Sequence, residues 1–391
     1  MSINQLSDLR GKIASFFPPD GGATPRLVGW PRVGVLALFA ALAILTLIAT
    51  DKPDNPVARN IAQLQAEGKT PYLDRNLYAD IAHAVQAGEP YYTAATRLHR
   101  EHNYPVHPFP TIRLPVQAHI WASLGDTGML YLYNLLGYSA LLVWWIALGR
   151  DKLSSSSSLI RPAALLIIFT SVEPNTFALH ECWAGILCGL AIATYRHQRP
   201  AAAILLVLAA TLIRETAFPF LLALCAMALI NRRQIGLAIL APITFLICMA
   251  VHASIVNANP PLPTDFVNTG WVRLSGWPTY VYYLQQTTMF YFLPYWVACI
   301  GVPLCLLGWL SWRSSIGFAG AAFHFGFAVL FMIAGRPDNI YWGFLLAPSF
   351  MLGLLNVPGT LREMIGILLA PQSDRTKRPN VRATSPTAAL A

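Results

Sequence analysis

Long apolar runs separated by short polar turns dominate this chain. A transmembrane helix needs roughly 20 predominantly apolar residues, and the hydropathy pattern predicts ten such spans. They lie at 33–50, 128–149, 160–174, 179–195, 200–213, 216–231, 235–255, 291–310, 316–334 and 340–356. The sequence therefore predicts an all-α integral membrane protein with about ten transmembrane helices.

The composition agrees with a lipid environment. Of the 391 residues, 55% are hydrophobic and 12% are charged, whereas roughly a quarter of the residues are charged in soluble domains. The net charge of +9 does not indicate nucleic-acid binding, because basic residues are expected beside membrane spans. We expect membrane lipid as a partner and no nucleic acid.

The basic residues predict the orientation of the chain. Cytoplasmic loops carry an excess of Lys and Arg. Placing the N-terminus inside puts most of the 27 basic residues on that side. We predict a cytoplasmic segment 1–32, a transmembrane domain 33–356 and a largely disordered cytoplasmic tail 357–391. The expected location is a bacterial inner membrane, with the active face extracytoplasmic.

Two long segments are predicted outside the membrane, at 51–127 and 256–290. The first has helical spacing in Leu77, Ile81, Ala84 and Val85, which predicts amphipathic helices on the outer membrane face. The second is rich in Pro, Tyr and Trp, a composition that suits an interfacial aromatic belt or a lid.

All six cysteines lie within apolar runs. We interpret them as small buried hydrophobic residues. Their spacing supports neither a disulfide framework nor a zinc site.

Ionisable residues gather at the predicted outer ends of several spans. Such groups cost about 2.5–3.5 kcal/mol at the centre of a membrane helix, so those present are functional candidates. They are Glu173, His180, Glu181, Arg214, Glu215, Arg336 and Asp338. We expect them to converge on one polar cavity that segment 51–127 covers. The alternative is that they are ordinary turn charges that pair or extend to the membrane surface.

The first outer segment contains a run from Asp74 to His83, followed by the residues Gly-Glu-Pro-Tyr-Tyr. A carboxylate at a helix start can be a simple cap, or Asp74 can face the predicted cavity. Asp80 lies six residues further along, about 240° around a helix. The two carboxylates therefore do not share a face.

A proline-rich stretch, 104–115, follows and contains His107 and Arg113. The planar guanidinium of arginine stays charged and binds phosphate through paired hydrogen bonds. A buried ion pair of Arg113 with Asp126 or Glu181 is the structural alternative. The histidines of this segment form no recognisable metal-binding pattern, so the sequence requires no metal but leaves room for a divalent one.

With these motifs the chain resembles the GT-C superfamily of multi-spanning glycosyltransferases, and within it the aminoarabinose, protein mannosyl and polyprenol-dependent mannosyltransferase-like proteins. The family's early outer loop corresponds here to Asp74, Tyr78-Ala79, Ile81-Ala82 and Gly88-Glu89-Pro90-Tyr91. Further motifs are Pro-Phe-Pro at 108–110, Arg-Leu-Pro at 113–115, His-Glu-Cys-Trp-Ala-Gly at 180–185, Arg-Glu-Thr-Ala at 214–217 and Gly-Arg-Pro-Asp-Asn at 335–339. The chain departs from the pattern at Arg75, where many relatives have a second acid.

The resemblance implies an inverting glycosyltransferase on the extracytoplasmic face. Its donor would be a polyprenyl-phosphate-linked sugar and its acceptor an envelope glycan or lipid. Asp74 corresponds to the general base. The predicted phosphate ligands are Arg113, Arg214 and Arg336. The predicted lining of the sugar or acceptor pocket is His107, His180, Glu181 and Asp338, with Asp80 as a further substrate-binding candidate.

Two other functions fit the same sequence features. One is a transporter or flippase for a lipid-linked or small anionic solute, whose binding site would lie near the bilayer midplane. The other is a non-catalytic subunit of an envelope polysaccharide assembly system. The ionisable residues are predicted at one face, and no internal repeat is evident, which favours the transferase.

Overall fold

The chain folds entirely into helices over the part that the structure describes. This computed structural model describes residues 30–151, 160–170, 176–267, 270 and 273–370, with positions 5, 7–9 and 11–12. No strand occurs within those ranges. Glu173, nearly all of segment 1–29 and the tail 371–391 lie outside the described residues.

The helices follow one another closely along the chain. The first five are α1 (Arg32–Ala49), α2 (Pro56–Ala66), α3 (Asp74–Gln86), α4 (Tyr91–Glu101) and α5 (Val116–Arg150). The next five are α6 (Ile160–Thr170), α7 (His180–Thr194), α8 (Ala201–Ile213), α9 (Phe218–Ile230) and α10 (Ile235–Asn257). The last five are α11 (Gly276–Thr287), α12 (Tyr295–Ser311), α13 (Ser315–Ala334), α14 (Ala347–Phe350) and α15 (Val357–Leu369).

Five helical stretches among the described residues are long and apolar enough to cross a membrane. They are Arg32–Ala49, Phe109–Arg150, Ile235–Asn257, Ser315–Ala334 and Ala347–Leu369. Shorter apolar helices lie at Ala201–Ile213, Glu215–Ile230 and Tyr295–Ser311. Helix forms within each of the ten predicted runs. The membrane-protein class is therefore supported, whereas a count of ten spans stays a prediction.

The last predicted run, 340–356, is not a single helix. It consists of a 3₁₀ helix at Ile340–Leu345, the short α14 and a second 3₁₀ helix at Met351–Asn356. Pro348 lies within it, and proline removes a helical hydrogen bond. Helix α15 follows directly. It lies at the start of segment 357–391, which is predicted from the sequence to be a largely disordered tail.

The apolar core is built around α7. This helix is buried on nearly every side, from His180 to Ala193, and it packs on α5, α8 and the 3₁₀ helix Ile340–Leu345. A β-carbon at Gly185 would lie 2.4 Å from the carbonyl oxygen of Phe344. Only glycine allows this approach, and it brings the start of α7 beside the 340–345 segment.

Outer segment 51–127 is helical, as predicted, through α2, α3 and α4. The apolar faces of α3 and α4 pack together, with Leu77, Ile81, Tyr91 and Leu98 in a separate small core. These faces are buried against protein, which differs from the predicted placement on lipid. The side chain of Arg113 and the start of α5 lie directly beneath this layer.

Outer segment 256–290 is only partly a loop. Its second half forms α11, whose aromatic residues Trp277, Tyr280, Tyr282 and Tyr283 are buried in the main core. For these four aromatics the interpretation as an interfacial belt or lid is wrong, because they are buried among the helices of the main core. The remaining loop is tied to α4 through Arg100, whose Nε lies 2.7 Å from Oδ1 of Asp265.

All six cysteines are free, and five of them are buried. Cys248 is half-buried. The prediction that the cysteines are buried core residues is confirmed for the other five.

Candidate functional site

Ionisable side chains from distant parts of the sequence meet at one end of the helical bundle. We call this group the polar cluster. It comprises Asp74, Tyr78 and Tyr104 from the outer segment, Arg113 before α5, His180 and Glu181 at the start of α7, Arg214 and Glu215 after α8, and Tyr341. Of the ionisable residues expected to converge, His180, Glu181, Arg214 and Glu215 do so, together with Asp74 and Arg113. Their sharing of one cavity stays a prediction.

Asp74 is the first residue of α3 but does not cap it. Leu73, the preceding residue, is extended, and its backbone N–H donates to Oδ1 of Asn76 at 3.0 Å. Because Asn76 performs this capping role, the carboxylate of Asp74 turns elsewhere. It accepts a hydrogen bond from the hydroxyl of Tyr104. Asp74 thus makes no capping hydrogen bond, although its carboxylate lies in the first turn of α3, where the helix dipole favours negative charge.

The surroundings of Asp74 favour its protonated form. Burial raises the pKa of this carboxyl above its ordinary value, and the nearby charge of Glu181 raises it further. The hydrogen bond from Tyr104 and the charges of Arg113 and Arg214 lower the pKa, but burial is the larger effect. The result is a carboxylate that binds a proton more tightly than an exposed aspartate does.

Arg113 links the outer segment to the bundle. Its Nε donates to the hydroxyl of Tyr78 at 3.2 Å, and its Nη1 donates to the carbonyl of Pro110 at 3.0 Å. Nη1 also lies 3.4 Å from Oε1 of Glu215. Its second terminal nitrogen, Nη2, forms no hydrogen bond to the described residues. Arg113 is therefore held in place while one donor stays available.

Arg113 forms a buried ion pair, as the structural alternative expects, but its partner is neither Asp126 nor Glu181. Asp126 pairs instead with His83, with 2.8 Å between Nε2 and Oδ1, and also accepts from Nε1 of Trp121 at 2.7 Å. Glu181 pairs with Arg214. The actual ion-pair partner of Arg113, Glu215, is 102 residues away in sequence, and no local pattern indicates it.

Arg214 is enclosed between two carboxylates. Its Nε lies 2.5 Å from Oε1 of Glu181, although the two atoms are not aligned as a hydrogen bond. Its Nη1 donates to Oε1 of Glu215. Arg214 ends α8 and Glu181 lies in the first turn of α7, so each charge complements a helix dipole. Both side chains are only 2% exposed.

The charges of the polar cluster nearly balance. Two guanidinium groups, Arg113 and Arg214, face two carboxylates, Glu181 and Glu215. Asp74 is a third carboxyl, and its raised pKa reduces the excess of negative charge. Pairing of this kind is what makes buried charge tolerable.

Four predicted site residues make their described contacts elsewhere. Arg336 and Asp338 pair with each other, with 2.6 Å between Nη2 and Oδ2. Nε2 of His107 lies 3.1 Å from the carbonyl oxygen of Asn259. Asp80 accepts from the hydroxyl of Tyr72 at 2.6 Å. Their substrate-binding roles stay predictions.

Several cluster residues were not assigned a role from the sequence. Tyr78 lies in the motif Tyr78-Ala79, and Tyr104 lies in the proline-rich stretch 104–115. A tyrosine in a sequence gives no sign of the group to which its hydroxyl will hydrogen-bond. Tyr341 belongs to the interrupted helical stretch 340–356. It lies close enough to Asp74, Arg113 and Arg214 to interact with their charges. The sequence indicates Glu215 only as a charge at the predicted outer end of a span. Its position next to Arg214 is the local sign that it could join an ion pair.

A small hollow opens beside the polar cluster. Its cavity volume is about 10 Å³, roughly the space that one water-sized group occupies, and it opens to solvent. Aromatic residues Tyr78, Tyr91 and Trp121 line it together with Arg113, Gln117 and His180. Asp74 is not part of the lining, but Tyr78 lies one turn after it on α3.

Metal-binding groups are sparse among the residues that the structure describes. No set of three or more His, Cys, Asp or Glu side chains is placed to hold a metal ion there. In the polar cluster, Glu181 and Glu215 pair with Arg113 and Arg214. The guanidinium groups therefore already neutralise these two carboxylates.

In comparisons with known proteins, no family model, no curated protein and no solved structure matches the chain. The described residues thus define an all-helical protein with several helices suited to a membrane. They also define a buried polar cluster at one end of its bundle.

Proposed function

We propose that this chain is a membrane glycosyltransferase of the GT-C type, with about ten spans in a bacterial inner membrane. It transfers a sugar from a polyprenyl-phosphate donor to an envelope glycan or lipid on the extracytoplasmic face. Both termini lie in the cytoplasm. A divalent metal is compatible with this chemistry, but no step below depends on one.

The observation that carries the proposal is the position of Asp74 within the polar cluster. Its carboxyl has a raised pKa and lies close enough to Arg113 and Arg214 to interact with their charges. A general base works best when its pKa approaches the working pH. Cations beside it stabilise a departing phosphate. Acid–base and phosphate-binding groups therefore occur together, as sugar transfer requires.

The proposed reaction is a single displacement. Asp74 accepts the proton of an acceptor hydroxyl, whose oxygen bonds to the anomeric carbon of the sugar. The bond from that carbon to the phosphate oxygen breaks, and the polyprenyl phosphate leaves with the electron pair. Attack opposite the leaving group inverts the anomeric centre.

Arg113 is the proposed ligand of the leaving phosphate. Its Nε and Nη1 are engaged by protein, which fixes the guanidinium plane, while Nη2 has no hydrogen bond to the described residues. A phosphate oxygen can accept from this nitrogen. Arg214 is surrounded by Glu181 and Glu215, so we assign it to holding the network and to the local electric field.

The direct test is sugar transfer in detergent extracts. Membranes from cells that lack the protein supply the acceptors, and the purified chain is added with labelled polyprenyl-phosphate mannose, glucose, galactose or arabinose. Asp74→Asn should reduce transfer about 10²–10⁴-fold, the usual contribution of a general base. The matched control is Asp54→Asn, whose carboxylate is 68% exposed and pairs with the exposed Arg59. This control should transfer at the wild-type rate.

The detergent assay also separates the alternatives. A transporter or flippase moves its solute between two compartments, and none remain once the membrane is dissolved. Adding such a protein to the extract would therefore not increase the labelling. A non-catalytic subunit would act equally well with Asn at position 74. Wild-type transfer by a folded Asp74→Asn variant contradicts the proposal.

A further inference from the structure

Two buried polar atoms beside the hollow have no hydrogen-bond partner among the described residues. They are Oε1 of Gln117 and Nδ1 of His180. The two side chains are 2% and 4% exposed, and both line the hollow. Buried polar groups are normally paired, and an unpaired one costs about 1–3 kcal/mol. The pair of atoms therefore indicates a group that binds there.

The orientation of Gln117 is determined by its neighbours. Its Nε2 donates to the carbonyls of Phe177 and Ala178, at 3.1 and 3.3 Å. Carbonyl oxygens only accept, so the amide cannot be turned round, and the unpaired atom is an oxygen that only accepts. The bound group must therefore donate a hydrogen bond, which a phosphate dianion cannot do.

The guanidinium of Arg113 in the lining disfavours a cation as the donor. Arg113 lines the hollow itself, and the charges of Arg113 and Arg214 both act on His180. An ammonium group would be repelled by these guanidinium groups. A neutral hydroxyl satisfies both requirements. It donates its single proton to Oε1 of Gln117 and accepts a hydrogen bond from Nδ1 of His180, which requires the tautomer with the proton on Nδ1.

Much of the remaining lining is aromatic, and the hollow has room for one hydroxyl rather than a whole sugar ring. Tyr78, Tyr91 and Trp121 present aromatic rings, and such rings combine apolar faces with polar edges. Their polar atoms are already engaged: the hydroxyl of Tyr91 donates to the carbonyl of Arg113 at 2.7 Å, and Trp121 donates to Asp126. The aromatic groups therefore offer contact area, and hydroxyl recognition is left to Gln117 and His180.

We infer that one hydroxyl of the donor's sugar ring enters this hollow and is recognised by Gln117 and His180. The inference rests on the proposed function for the identity of the ligand. It assigns the sugar rather than the acceptor, because Arg113, the proposed phosphate ligand, lines the same hollow and the sugar is attached directly to that phosphate.

Binding measured without catalysis tests the inference. The probes are a short-chain polyprenyl phosphate without sugar and the same lipid carrying mannose, glucose, galactose or arabinose, titrated against the purified full chain. At least one sugar should raise the affinity about tenfold over the bare lipid. His180→Phe should abolish that difference while it keeps the affinity for bare lipid, and His180→Asn should restore part of it.

His102→Phe is the matched control. The ring of His102 stacks on Tyr72 with centroids 3.7 Å apart, a contact that phenylalanine preserves, and His102 does not line the hollow. This variant should bind every lipid as the wild type does. Equal affinity of the wild type for bare lipid and all four sugar lipids overturns the inference. So does a His180→Phe protein that keeps the sugar-dependent difference.

Deoxy analogues provide a test that needs no variant. With the best-binding sugar, removal of one particular hydroxyl should lower the affinity about tenfold, and removal of the others should have little effect. If no single hydroxyl matters, the hollow holds water only and the inference is wrong. Sugar-dependent binding without transfer in detergent would reject the proposed reaction and leave this binding site intact.

Discussion

At the scale of single residues, the polar cluster depends on how a few side chains divide their hydrogen bonds. Asn76 satisfies the start of α3, which leaves the carboxylate of Asp74 to Tyr104. Arg113 uses two of its nitrogens for protein contacts. Each group of the proposed reaction is thus held by a neighbour that takes no part in the chemistry.

Tyr104→Phe should change the pH dependence of sugar transfer. The Tyr104 hydroxyl lowers the pKa of Asp74, so its removal raises that pKa further. A base must be deprotonated to act, so activity falls as the pH drops through its pKa. The acidic limb of kcat/KM should therefore move to higher pH in the variant. Measurement of kcat/KM across pH for both proteins checks this.

Tyr92→Phe is the control for the pH profile. The Tyr92 hydroxyl bonds Nδ1 of His252 at 3.1 Å, away from Asp74, so its removal should leave the acidic limb in place. An acidic limb that is unchanged in Tyr104→Phe, or equally shifted in both variants, would show that Asp74 is not the titrating base.

At the scale of secondary-structure elements, close glycine contacts set the positions of the helices. A β-carbon at Gly308 in α12 would lie 1.8 Å from the carbonyl oxygen of Gly353, and one at Gly353 would lie 2.2 Å from that of Cys305. The two backbones therefore touch. This contact fixes the position of the interrupted stretch 340–356 against α12. Tyr341 of the polar cluster belongs to the same stretch.

Gly308→Ala should destabilise the protein. The added methyl group meets backbone, which cannot move aside as a side chain can, and overpacking of this kind costs about 1–3 kcal/mol. The thermal unfolding midpoint in detergent should fall. Gly326→Ala in α13 is the control, because nothing lies within 4 Å of its β-carbon position. Its midpoint should stay or rise slightly, since alanine favours a helix by roughly 0.5–1 kcal/mol over glycine. Equal midpoints for the two variants would contradict the contact.

At the scale of the whole molecule, exposed apolar side chains contrast with buried ion pairs at one end of the bundle. Large apolar side chains such as Val33, Leu47 and Leu240 are well exposed, as expected for contact with lipid. The ion pairs of the polar cluster are, in contrast, enclosed between α7, α8 and the outer segment. The proposed membrane orientation rests separately on the excess of Lys and Arg in the predicted cytoplasmic segments.

Cysteine labelling tests that orientation. Asp54→Cys should react with a membrane-impermeant maleimide in intact cells, whereas Arg199→Cys should react only after permeabilisation. Both positions are exposed, and the unmodified chain gives the background because five of its six cysteines are buried. Labelling of Arg199→Cys in intact cells would reverse the predicted topology.

The sequence by itself determined the helical class, the segments suited to a membrane and the helical nature of the first outer segment, because apolar periodicity and length are local properties. It also singled out Asp74, Arg113, Glu181 and Arg214. Only the tertiary structure decided that Arg113 pairs with Glu215 and that Tyr104 and Tyr341 join the polar cluster. It also decided that α11 is buried. Those outcomes depend on which distant helices touch, and that is set by packing and charge pairing across the whole chain.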